Sequence, residues 1–423
     1  MLATAADRRE GRIQRLGNLL VLQYLSLNAF PCGAARNAMR RVLRPVSESN
    51  PPTTVTDARV ANLAAKFEKF ARKCSGVSPL YERLSLGIMR DYDLLSLAAE
   101  ARADPVPNLL LAAVHYLLLA GERADLTDHY PDLVSVVACT DPYPSFRRFC
   151  LEHQIQLTSL IRSRNVQTNA VGRAAILVPC FALLAEAMRA PLAVIEVGAS
   201  AGLLLAWDRY SYDYGSAGSI GPRSSPVQLH CQVTGEGYPN VAHSLPAVVF
   251  RKGLDLDPPD LDSVVDRRWL QALVWPDQPE RLAQLEAAVE VVRRAPPNIV
   301  AGDAARLLPS VMDEAPREAV LCVFHSHSMY QFPEQSRMAL LRAMRELGRR
   351  RPVFRIGLEA VKQRSYCHLE LEACGSGLAR RLAVTDDYGM SMHWVGPAAL
   401  ALQPSAMQPA SLPGSIGQST IGK

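Results

Sequence analysis

The chain has 423 residues, 48% of them hydrophobic and 21% charged, which is typical of globular proteins with a large core and sets a soft prior of two or three domains. Its net charge of +5 is small for that length and comes from scattered arginines, so no nucleic-acid partner is indicated. Nine cysteines, an odd number without a CxxC pair, point to reduced thiols in a cytoplasmic protein and against a disulfide framework or zinc knuckle.

Arg8, Arg9, Arg12 and Arg15 precede an apolar run over residues 16–29, which is the order of a signal peptide. Asn18, Gln23, Ser26 and Asn28 interrupt that run, no small-x-small cleavage site follows, and nowhere does an apolar stretch reach the roughly 18 residues of a membrane span. Residues 1–56 are therefore expected to be a loosely structured extension, ending in a Pro-, Ser- and Thr-rich linker.

Residues 57–190 are expected to be all helical. Val60, Leu63, Phe67, Phe70, Ala71 and Cys74 recur at the spacing of one helix face, and Ser78-Pro79 pairs a capping residue with a proline suited to a first turn. Residues 108–120 form a strongly apolar run closed by Gly121, and Phe146, Phe149, Cys150, Leu157 and Ile161 mark one further amphipathic helix. Near residue 190 the period changes. Short β-rich runs at 192–197, 247–250, 298–301, 319–324 and 353–358 alternate with helical stretches, notably 266–274, 278–294 and 333–350. That alternation predicts an α/β domain over residues 191–402 with a mainly parallel sheet and right-handed crossovers. Residues 381–385 and 390–395 around Asp386-Asp387-Tyr388-Gly389 predict a C-terminal antiparallel hairpin, and the Pro-, Ser- and Gly-rich residues 403–423 a disordered tail.

The first β run ends in Glu196-Val197-Gly198-Ala199-Ser200-Ala201-Gly202 and opens toward a helix over 203–209, the context of a nucleotide-binding turn. The dinucleotide pattern G-x-G-x-x-G fails, with Ser200 and Leu203 at two of its three glycine positions, and a P-loop Gly-Lys-Ser/Thr is absent. The spacing resembles instead the first motif of class I S-adenosylmethionine-dependent methyltransferases, acidic-x-Gly-x-Gly-x-Gly, with Ser200 at the middle glycine. That resemblance implies a Rossmann-like, methyltransferase-type fold with S-adenosylmethionine as cofactor. It also implies that Glu196, Gly198, Ser200 and Gly202 hold the cofactor and that a side chain at Gly198 would exclude it from a folded protein. Asp255, beyond the second β run, is a candidate for the ribose hydroxyls, or else a turn acid before Pro258. Asp303 in Gly302-Asp303-Ala304 is a candidate for the adenine side, or else a helix cap.

His325-Ser326-His327 ends the 319–324 run, where alternation places both imidazoles on one side of an extended chain. His325 is the candidate general base and His327 a pocket residue; a metal site is not expected, because no third ligand is evident nearby. Trp275 lies between two helices, as a packing corner or a wall of the substrate pocket.

Ser78-Pro79-Leu80-Tyr81-Glu82-Arg83, Val166-Gln167-Thr168-Asn169 with Arg173, the Glu196–Gly202 turn, Trp207-Asp208-Arg209-Tyr210, Leu273-Val274-Trp275-Pro276 and Gly302-Asp303-Ala304 together resemble a bacterial family, domain of unknown function 2332, over roughly residues 60–400. Asn169 and Arg173 join the substrate-pocket candidates on that resemblance. The leading expectation is methyl transfer to a small molecule. A non-catalytic nucleoside-binding or regulatory protein on the same fold is the alternative, and a metal-dependent hydrolase using both histidines the weaker one.

Overall fold

A computed structural model describes residues 57–238, 244–362, 364 and 366–397. The expected extension and tail, with the apolar run at 16–29, lie outside the described residues.

The chain begins with α1 (Asp57–Cys74), α2 (Pro79–Ile88), α3 (Tyr92–Ala98) and α4 (Val106–Leu119). The apolar stripe of α1 is buried from Val60 to Cys74, as its spacing requires, and Ser78 caps α2 by accepting the Tyr81 N–H at 3.3 Å. The single helix expected over residues 146–161 is instead two, α5 (Pro142–Glu152) and α6 (Gln154–Ser163). They break at His153, whose Nδ1 lies 3.0 Å from the Phe149 carbonyl and whose ring stacks on Phe149 at 4.1 Å. A side chain that competes for a backbone partner favours such a break. These helices enclose a core that also takes in Trp269 and Trp275 from far along the chain.

Helix α7 (Arg173–Met188) precedes the change of period but packs with the sheet, where Ile176, Cys180, Phe181 and Leu184 are fully buried. It leads into β1 (Leu192–Val197), then β2 (Ser211–Asp213), β3 (Ser219–Ile220), β4 (Gln228–His230), β5 (Gln232–Gly235) and β6 (Val248–Asp255). After these come α8 (Val264–Ala272), α9 (Pro279–Arg294), β7 (Asn298–Ala301), α10 (Ala304–Asp313), β8 (Val320–Ser326), α11 (Glu334–Gly348) and β9 (Val353–Ala360). The chain closes with β10 (Cys367–Ala373), β11 (Leu378–Thr385) and β12 (Ser391–Trp394).

The main sheet has nine strands in the order β5-β12-β11-β10-β9-β8-β1-β6-β7. Strands β7, β6, β1, β8 and β9 are parallel, and β10, β11 and β12 continue as an antiparallel meander, with β5 parallel to β12 at the edge. β1 is buried along its whole length: Leu192 and Val194 face the core of α7 and α9, Ala193, Ile195 and Val197 that of α10 and α11. Burial on both faces explains why it reads as an apolar run without alternation, broken only by Glu196 near its end. A small second sheet, β3-β2-β4, is inserted between β1 and β6. After β1 the chain builds outward through β6 and β7, then crosses back to lay β8 on the other flank of β1. This reversal leaves a crevice beyond the carboxyl ends of β1 and β8, the position at which open α/β sheets bind ligands. Among the described residues, no helix is long and apolar enough to cross a membrane.

Candidate functional site at the switch point of the sheet

The turn after β1 has three residues in the left-handed region, Gly198 (φ +78°), Ser200 (φ +47°) and Gly202 (φ +71°). Ser200 is the unusual one, since a side chain there is strained. Asp255 and a segment from the helical half hold it in place. The Ser200 N–H donates to Asp255 Oδ2 at 2.7 Å, and the Ser200 hydroxyl donates to Gln167 Oε1 at 2.9 Å while accepting from Asn169 Nδ2 at 3.0 Å. Asp255 Oδ1 accepts from the Asp257 N–H at 3.0 Å. Asp255 is thus a brace for the turn, and each of its oxygens keeps one acceptor site.

The glycines serve the protein's own packing. A Cβ on Gly198 would lie 2.5 Å from the Cβ of Ser328, and one on Gly202 would lie 2.7 Å from Pro297. The expectation that a side chain at Gly198 would obstruct only a ligand is therefore corrected: it collides with the segment after β8.

Beside the turn is a narrow crevice whose walls include Asn169, Arg173, Glu196, Gly198, Ser200 and Ser326. Five expected site residues, Asn169, Arg173, Glu196, Gly198 and Ser200, thus line one crevice with Asp255 behind them, and Ser326 from the end of β8 joins them. Glu196 is 3% exposed, and its Oε2 has no hydrogen-bond partner among the described residues. Burial first, then the neighbouring Asp255, pushes its carboxyl well above the ordinary range. Ser326 Oγ, also on the crevice wall, is likewise buried and unpartnered among the described residues. Arg173, 5% exposed, donates from Nε to the Asp387 carbonyl at 2.8 Å and so ties the start of α7 to the β11–β12 turn.

Other expected residues have different surroundings. Asp303 is the N-cap of α10, accepting the Ala305 N–H at 2.9 Å, as its helix-cap reading has it. Asp303→Ala is expected to cost about 0.5–2 kcal/mol in a denaturant titration, whereas Asp303→Asn keeps the cap and shows any contact with a ligand separately. Trp275 is not on the crevice wall; it is 5% exposed, edge-on to Phe70 at 5.6 Å in the helical core. It packs because the chain after α8 returns to the helical half.

The two histidines do not share one side, because β8 ends at Ser326 and His327 turns left-handed (φ +53°). His325 is 2% exposed with both ring nitrogens engaged: Nδ1 lies 2.6 Å from Glu359 Oε1, and Arg355 Nη1 lies 3.1 Å from Nε2. Glu359 Oε1 also accepts the Ser328 and Met329 N–H groups at 3.2 and 3.0 Å. His325 therefore positions the segment after β8, and no ring nitrogen is left for a general base. His327 instead faces Cys367, its Nε2 3.4 Å from the sulfur. Cys367 and Asp387, which sequence reasoning passed over, meet there because β10 lies two strands from β8 and the β11–β12 turn folds back beside it.

No curated protein and no solved structure matches the chain. Residues 64–394, from α1 to the last strand, match the family model described as an uncharacterised protein conserved in bacteria, and the chain belongs to that family, DUF2332.

Proposed function

We propose that the crevice beyond β1 and β8 binds S-adenosylmethionine and that the protein transfers its methyl group to a small molecule. The observation that carries this reading is the Glu196–Gly202 turn at the switch point, braced by Asp255 from the end of the neighbouring strand. The parallel strand order β7-β6-β1-β8-β9 agrees with a Rossmann-like arrangement, in which ligands sit at this place. The hairpin β11–β12 is joined to β9 through one more antiparallel strand, β10.

The residues present suit the cofactor's chemistry. Glu196 offers a buried, unpartnered carboxyl oxygen to an ammonium group, and Asp255 offers its remaining acceptor sites to a ribose diol. Bound S-adenosylmethionine would supply a methyl group on a sulfonium centre. The chain's own part is to orient it and exclude water. Gln167 and Asn169 bridge across Ser200, so filling the crevice requires the 166–172 segment to shift.

Isothermal titration with S-adenosylmethionine and S-adenosylhomocysteine tests the reading. Saturable binding is expected, weakened by Asp255→Asn by about 1–3 kcal/mol, roughly five- to 150-fold in Kd. Absence of heat and of thermal stabilisation at millimolar ligand sinks it. The closed surroundings of His325 favour a second reading, a nucleoside-binding protein without catalysis. Binding without label transfer from methyl-labelled cofactor to any acceptor in a metabolite extract would support it.

A further inference from the structure

The geometry points to a metal-binding site outside the cofactor crevice: we propose that His327 Nε2, Cys367 Sγ and Asp387 Oδ1 hold one divalent cation of the zinc class. These atoms come from three segments, the end of β8, the start of β10 and the β11–β12 turn, and all lie within 4.8 Å of one another. Cys367 Sγ is 3.4 Å from His327 Nε2 and 3.1 Å from Asp387 Oδ1. Tetrahedral zinc, with about 2.3 Å to sulfur and about 2.0–2.1 Å to nitrogen or oxygen, spaces its ligands by about 3.5 Å. A small relaxation of the observed triangle therefore admits the ion. Thiolate, imidazole and carboxylate together select a borderline-soft ion over magnesium or calcium, which demand oxygen ligands.

The surroundings hold the ligands in place. Lys73 Nζ binds the second oxygen of Asp387, Oδ2, at 3.0 Å, leaving Oδ1 turned to the sulfur. Asp386 accepts the N–H groups of Tyr388, Gly389 and Ser391 at 2.7, 2.9 and 2.6 Å, which fixes the turn that carries Asp387. The backbone N–H of His327 donates to the Leu358 carbonyl at 2.9 Å, which fixes the chain that carries the ring. The Asp387 side chain is 25% exposed beside the exposed Lys73, which gives the ion a way in. On binding, the Cys367 thiol gives up its proton to solvent and sulfur donates a lone pair to the cation. Thiolate and carboxylate then face the cation, with His327 neutral, while Lys73 keeps the outer oxygen of Asp387 and Arg173 its backbone carbonyl. Three protein ligands leave a fourth position for water or another ligand.

The full chain, stripped with a chelator and titrated with Co²⁺, tests this without reference to the cofactor. One cobalt per chain is expected, with a thiolate-to-cobalt charge-transfer band and the visible spectrum of a four-coordinate site, both displaced by Zn²⁺. Cys367→Ser should remove the band and weaken binding by at least about tenfold, as should Asp387→Asn. Cys139→Ser, at an exposed thiol, should leave both unchanged. The proposal is overturned if the wild-type chain binds neither Co²⁺ nor Zn²⁺ stoichiometrically, if its cobalt spectrum lacks the thiolate band, or if the band follows Cys139.

Discussion

Replacing Gly198 with valine is expected to cost the protein stability on the order of 2–6 kcal/mol. At φ +78° any side chain is strained, at about 1–3 kcal/mol, and the new Cβ would lie 2.5 Å from the Ser328 Cβ. Overpacking of that kind adds about 1–3 kcal/mol. Ser328 cannot simply swing away, because its hydroxyl donates to the Val197 carbonyl at 2.7 Å and its N–H is held by Glu359. The clash therefore spreads into the network of His325 and Glu359. Chemical denaturation of Gly198→Ala, with and without Ser328→Gly, separates the two causes. The double variant should recover the steric part and keep the backbone part. A Gly198→Val protein with wild-type stability would show that the segment after β8 packs less closely than this structure has it.

Glu196→Gln is expected to stabilise the protein at neutral pH and to leave it unchanged near pH 4. The folded-state carboxyl titrates well above the ordinary value of 4.5, through burial and then Asp255. Below the ordinary value the folded and unfolded chains are both protonated at this position, and its contribution is fully present. As pH rises, the unfolded chain ionises first. Stability then falls by about 1.4 kcal/mol per pH unit until the folded-state value is reached. Glutamine, a neutral isostere of the protonated acid, removes that loss. Thermal midpoints of the two proteins should diverge as pH rises above 4.5 and stop diverging at the folded-state value of Glu196; parallel curves throughout would mean that another group titrates. If the crevice holds the ammonium of S-adenosylmethionine, the same substitution should weaken its binding by about tenfold or more, since a hydrogen bond to a charged group is worth about 1.5–3 kcal/mol. Stability gained and affinity lost in one variant would mark a residue kept for binding.

Much of the fold is legible in local periodicity. The runs at 192–197 and 298–301 match β1 and β7 residue for residue, and the hairpin around residues 386–389 is where the alternation put it. β10 went unread although Leu369 and Leu371 alternate with Glu370 and Glu372, because its acids look like a solvated loop. Glu372 is buried there only because Arg345 and Arg355 pair with it at 3.0 and 2.8 Å from other elements. β2 to β5 are two to four residues long, below what periodicity can resolve.

The sequence by itself determined the alternation of helix and strand, the glycine turn and the acids that follow the strands, since each depends on neighbours within about a turn of chain. Only the tertiary structure decided what those residues touch. Asp255 became the brace of Ser200 once β6 lay beside β1. Trp275 went to the helical core, and His325 was enclosed by Glu359 and Arg355 from the neighbouring strand. The meeting of His327, Cys367 and Asp387 across 60 positions is of the same kind. Side chains distant in sequence acquire their chemistry from strand order and from the path of a turn, and neither is written in any local stretch of the chain.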